Sequence, residues 1–184
     1  CTTDAQCSDG LFCNGVETCL IPTGVCQPGT DPCPGQGCDE VTDTCVALPS
    51  VVYEWNMNTN PGWTVQGQWA WGAPTGGGGQ YGGPDPTSGA TGSNVYGYNL
   101  AGDYANNLAE THLTSTAINC TGLTSVTLRF QRWLGVEVNT YDHAYVRVSN
   151  NGSTWTTVWS NSAEIADTAW SLQEFDISAV ADNQ

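Results

Sequence analysis

The chain has no lysine. Its 184 residues carry only three other fixed cations, Arg129, Arg132 and Arg147, against 18 Asp and Glu, for a formal net charge of −15. Binding a nucleic-acid backbone requires Lys and Arg to displace its counterions, so nucleic acid is excluded as a partner. Docking on an anionic lipid surface fails for the same reason. No apolar run approaches the ~18 residues that read as a membrane-spanning helix, so no membrane insertion is expected. Histidine is scarce too, with His112 and His143 the two present. There is no Gly-x-Ser-x-Gly elbow to accompany them, and the reading is that the chain is not an enzyme. Low charge does not mean disorder here, because eight Trp, seven Tyr and three Phe can bury much surface.

What the chain has in excess is cysteine, unevenly spread. Cys1, Cys7, Cys13, Cys19, Cys26, Cys33, Cys38 and Cys45 lie in the first 45 residues, and Cys120 stands alone beyond them. A segment that short cannot bury enough apolar surface to fold unaided. Eight evenly spaced cysteines therefore read as a disulfide framework whose pairing is open, since eight allow 105 connectivities. Zinc is the weaker reading: only Cys33 and Cys38 approach ligand spacing, and no histidine precedes His112. The compartment implied is oxidising, hence secreted or cell-surface.

Residues 1–46 form this Cys-rich module, 47–50 a linker, and 51–184 a second domain holding every Trp and Tyr. Period-two alternation marks the second domain as antiparallel strands: Val51–Met57, Trp63–Trp71, Val126–Gln131, Ala144–Ser149, Trp155–Trp159 and Trp170–Ile177. Asn150-Asn151-Gly152-Ser153 reads as a hairpin turn. No amphipathic helix is expected. The fold class is all-β, an antiparallel jelly-roll sandwich preceded by a small disulfide-rich, loop-dominated module. Residues 72–102 contain eleven Gly and three Pro. Their tyrosines mark them as an ordered loop laid across a sheet rather than a linker.

Several segments carry a resemblance. Glu54 precedes Pro61-Gly62-Trp63-Thr64; Ala109–Ser115 steps into a strand; Val126–Phe130, Asp142–Trp155 and Trp170–Ala181 follow in order. Together they resemble the MAM-like or cleaved-adhesin-like jelly rolls of secreted bacterial proteins. The front run Asp9–Cys19 is similar to Cys-rich repeats of such proteins. The resemblance implies a closing strand after Gln184, supplied either by more of the same chain or by another molecule, with a partner there for Cys120 (otherwise unpaired within the chain), and Glu54 as a calcium ligand. The chain is read as a non-catalytic adhesion or assembly module of a larger secreted or surface protein, with other copies of the chain, an extracellular matrix or a glycan as partner; the alternatives are a carbohydrate-binding module of a secreted hydrolase and an accessory domain of a secreted protease.

Two kinds of site are expected. Asp103, Asn106 and Glu110 place oxygen-bearing side chains close together in a loop, a donor set suited to structural calcium with Glu54 added. Asp9, Asn14 and Glu17 are a possible second metal group, although Asp and Asn there also suit turns. Trp69, Trp71, Tyr81, Tyr96 and Tyr98 border the Gly-rich loop as candidate ligand-binding aromatics for a sugar face. Trp55, Trp63, Trp155 and Trp170 are expected in the core.

Overall fold

The computed structural model describes residues 1–80 and 83–184 and divides the chain into two compact units, Cys1–Val52 and Tyr53–Gln184. Tyr81, one of the candidate aromatics, lies outside the described residues. No helix is long and apolar enough to cross a membrane.

The first unit is built on two short antiparallel ladders, β1 (Thr18–Leu20) with β2 (Val25–Gln27), and β3 (Gly37–Asp39) with β4 (Thr44–Val46). Each sets two cysteines directly opposite, Cys19 against Cys26 and Cys38 against Cys45. None of these bonds to its cross-strand neighbour. The disulfides are Cys1–Cys19, Cys7–Cys26, Cys13–Cys38 and Cys33–Cys45. Both hairpins are thus fastened outward to the irregular segments around them. Covalent bonds stand in for a core: Cys33 is 1% exposed, while Val16, Ile21 and Val41 face solvent. Side-chain carboxylates satisfy the loop backbone: Asp4 accepts from Cys19 N–H, Asp31 from Cys33 N–H, and Glu40 from Phe12 and Cys13 N–H. Two glycines let backbone cross backbone. A Cβ on Gly15 would fall 2.0 Å from the Thr30 carbonyl oxygen, and one on Gly29 2.2 Å from the Gly15 carbonyl carbon. Four disulfides assign the chain to an oxidising compartment.

The second unit is all-β and antiparallel. β5 (Thr64–Val65) pairs with β8 (Leu113–Thr114), and between them β6 (Trp69–Gly72) pairs with β7 (Val95–Tyr98). A second set nests the same way. β9 (Thr127–Arg132) pairs with β14 (Ser171–Asp176), β10 (Gly135–Val136) with β13 (Ile165–Ala166), and β11 (Tyr145–Val148) with β12 (Thr156–Ser160). Nested pairs are what results when a long hairpin is folded over on itself, the construction of a roll. The innermost turn is the one expected from sequence, where Asn151 Oδ1 accepts from Ser153 and Thr154 N–H and Ser149 Oγ from Gly152 N–H.

Packing follows the alternation. In β9 and β14 every second residue turns inward, so Phe130 and Phe175 meet at 5.9 Å, while Arg129 pairs with Glu174 outside. Among the described residues of this unit, Pro74, Val95, Cys120, Val136 and the polar Asn161 are buried. The Gly-rich loop is held in place by indole N–H groups. Trp133 donates to Pro84 O, Trp170 to Ser88 O, and the two indoles meet edge to face at 5.8 Å. One turn of helix, α1 (Ser178–Ala181), leads to Asp182, which accepts from Ser125 and Val126 N–H.

Two expectations are corrected. Val51–Met57 is not a strand: Asn56 caps the N–H of Asn58, Met57 takes a positive φ of 62°, and no ladder forms there. Alternation alone does not make a strand without a partner. Trp155 is not core but 44% exposed, because it sits where the hairpin turn enters β12.

Candidate functional site

Cross-strand register positions the candidate aromatics. Trp69 stands opposite Tyr98 and Trp71 opposite Tyr96 on β6 and β7, so one face carries all four. They are engaged with the protein. Trp69 meets Tyr98 edge to face at 5.8 Å, Trp71 Nε1 donates to Met57 O, and Trp63 stacks on Tyr96 at 5.1 Å. The four are half-buried packing residues, not an open platform.

The carboxylates gather differently from the expectation. A cavity of about 230 Å³ is lined by Asp103, Tyr104, Asn106, Glu137 and Asp142. Asp103 and Asn106 come from the loop expected to hold calcium. Glu137 and Asp142 arrive from the connection between β10 and β11. Asn161, only 4% exposed, fastens that connection: its amide donates to Glu137 O and Asp142 O and accepts from Ala144 N–H. Tyr104 donates to Asp142 Oδ2, and burial together with that bond pushes the phenol well above its ordinary pKa. Asp103 accepts from Gly79 and Gln80 N–H, which ties the Gly-rich loop to the cavity. Beside Asp103, Asp85 has a buried Oδ2 with no hydrogen-bond partner. Burial first, and Asp103 second, push Asp85 above the usual carboxylate range.

Glu110 is not in this group. It pairs with Arg147 and lies 3.7 Å from His112. Glu54 lines a different groove. Sequence spacing missed Glu137, Asp142 and Asn161, because tertiary contact brings them in from far along the chain. In the first unit Asp9 and Asn14 do meet, at 2.7 Å. The Asn14 amide donates, and Leu11 N–H takes the other oxygen. The Leu11 N–H first and the Asn14 amide second hold Asp9 below the ordinary range, with a smaller contribution from Glu17. This is turn chemistry. Among the described residues, metal-type ligands converge in threes at Cys1, Cys7 and Cys19 and at Cys13, Cys38 and Glu40. There the sulfurs are joined in disulfides, and Glu40 is capping backbone.

A second concavity, of about 330 Å³, lies along Glu54, Trp55, Asn56, Thr59, Asn60 and Pro61. Its indole is held in a file of rings. Tyr53 stacks on Trp55 at 6.3 Å, Trp63 meets Trp55 edge to face at 5.5 Å, and Tyr96 follows behind Trp63.

Comparison with known proteins gives one partial likeness. The chain is 32% identical over 138 residues to Bacillopeptidase F of Bacillus subtilis (strain 168). That match takes in 71% of this chain but 9% of the relative. This chain therefore shares a region with a much longer protein that is named a peptidase. No family model matches the chain, and no solved structure matches it.

Proposed function

We propose that the chain is a non-catalytic, calcium-stabilised binding module of an extracellular protein, an accessory region that attaches a larger chain to a matrix, a glycan or another copy of itself. The observation that carries this reading is the proportion of the match: most of this chain corresponds to a small fraction of a peptidase. A region shared in that proportion suits an appended module. The nested ladders support a MAM-like or cleaved-adhesin-like roll for the second unit. Both imidazoles have structural neighbours, His112 beside the Arg147-bound Glu110 and His143 stacked on Tyr145 at 5.9 Å.

Calcium enters through the acidic cavity. Its donors are all oxygen: three carboxylates, from Asp103, Glu137 and Asp142, with the Asn106 amide and the Tyr104 phenol. That is the chemistry of a hard cation that takes six to eight oxygens. The three arginines pair with Glu174, Asp167 and Glu110 and leave these acids uncompensated. Asp103, Asn106, Glu137 and Asp142 would hold the ion. Its charge would relieve their mutual repulsion and fix the Gly-rich loop through Asp103.

The test uses the purified chain. Millimolar calcium raises the melting temperature over EDTA, labelled protein is retained on insoluble matrices such as chitin, cellulose or collagen, and denatured casein is not cleaved. An identical melt in calcium and EDTA removes the ion. Casein cleavage that disappears with His112→Ala or His143→Ala overturns the non-catalytic reading.

A further inference from the structure

We propose that the groove beside Trp55 binds a neutral oligosaccharide. This rests on the reading of the chain as a binding module and names the ligand class and residues, which differ from the aromatics that sequence alone suggested.

A pyranose ring offers an apolar C–H face and a rim of hydroxyls that both donate and accept. A site for it needs a fixed aromatic surface with donors and acceptors around it. The groove has these parts. Trp55 is held between Tyr53 and Trp63, so little ordering remains for a ligand to impose. Asn56 Oδ1 is occupied by Asn58 N–H at 3.0 Å. Asn60 Oδ1 is occupied by Gly62 N–H at 2.9 Å and the Tyr96 hydroxyl at 2.8 Å. Asn60 therefore has its acceptor end filled by the protein, Asn56 keeps one lone pair, and both NH₂ groups are left for a ligand. Glu54 pairs with no cation among the described residues and can accept from a hydroxyl. Thr59 adds a hydroxyl that can donate or accept. The volume, about 330 Å³, falls at the lower end of small-ligand sites.

The same residues discriminate among occupants. Glu54 and a net charge of −15 repel acidic polysaccharides. A Lys or Arg side chain could sit over the indole, but both groups are donors only and would leave the two amide donors without acceptors. Sugar hydroxyls satisfy donors and acceptor together.

The experiment titrates the full oxidised chain, in calcium, with neutral hexasaccharides of glucose, mannose, galactose, xylose and N-acetylglucosamine. Hexa-alginate and hexalysine are the comparators. At least one neutral sugar should saturate with a Kd below about 1 mM. Trp55→Ala should weaken it by about tenfold or more, as expected for an anchoring aromatic. Glu54→Gln and Asn56→Ala, at exposed positions, should each weaken it severalfold with the fold intact by circular dichroism. Trp155→Ala, at the β11–β12 hairpin and outside the groove lining, should leave binding unchanged. No saturation by any neutral sugar up to about 10 mM, binding that survives all three groove substitutions, or hexalysine as the tighter ligand each overturns the proposal. Retention on collagen with no sugar binding defeats this inference alone and leaves the module reading standing.

Discussion

Arg132 Nε lies 3.0 Å from Asp167 Oδ2, with the two side chains only 20% and 16% exposed. Asp167 also accepts from Leu134 N–H and returns its own N–H to Leu134 O, while the guanidinium lies 5.3 Å from the Trp159 ring centre. The pair locks the end of β9 to the segment entering β14. Asp167→Ala leaves a largely buried guanidinium without its counter-charge. The expected cost is about 3 kcal/mol, or a fall of about 10 °C in melting temperature. Glu174→Ala removes an equally close partner from Arg129, but both are more than half exposed. That change should cost no more than about 0.5 kcal/mol. Thermal melts of the two variants side by side check the contrast.

Asp85 gives a prediction with the opposite sign. Its raised pKa means that the folded state favours the neutral acid. The associated stability is complete below the ordinary carboxylate pKa and is lost as pH rises through the raised value. In EDTA at pH 7, Asp85→Asn should therefore raise the melting temperature by a few degrees, and the gain should shrink as pH falls toward 4. A lower melt at pH 7 would show that the buried oxygen is not the burden that its missing partner implies.

Reduction should separate the two units. Every disulfide lies in the first and every Trp in the second. A strong reductant should leave tryptophan fluorescence and its melt in place while residues 1–46 become open to proteolysis. Opening Cys33–Cys45 alone, by paired serine substitutions, removes a bridge worth about 3 kcal/mol in the chain-entropy account.

Gly29→Ala tests the close crossing in the first unit. The added methyl would meet backbone at 2.2 Å, which no side-chain motion relieves. Oxidative refolding of this variant should yield scrambled disulfides by peptide mapping, whereas Gly10→Ala, with open space around it but a φ of +81°, should map correctly with a modest loss of stability.

Local chemistry was legible in the sequence. The all-β class and the Asn151 turn each depend on residues a few positions apart, and the even rhythm of cysteines announces staples, but their pairing spans 12 to 25 residues and was not readable. The sites were less so. Asp103 and Asn106 are visible in the sequence because they share a loop, but Glu137 and Asp142 lie more than thirty residues on and meet them through a tertiary contact, Tyr104 to Asp142, which no spacing encodes. Glu110, close to Asp103 and Asn106 in sequence, lies against Arg147 of β11 rather than in the cavity. Trp69, Trp71, Tyr96 and Tyr98 looked like a surface because composition cannot say that they stand opposite one another. The strand expected at Val51–Met57 failed because a strand is a relation between two segments.

The nesting of strand pairs also dictates a sequence of events. Closing a loop costs more entropy the longer it is. The turn at Asn151 joins β11 to β12 over the shortest span and so forms at least cost; that closure shortens the path between β10 and β13, and theirs in turn brings β9 to β14. Assembly therefore proceeds like a zip from the hairpin tip outward. Altering Gly152 should delay the arrival of Phe130 against Phe175, residues it never touches.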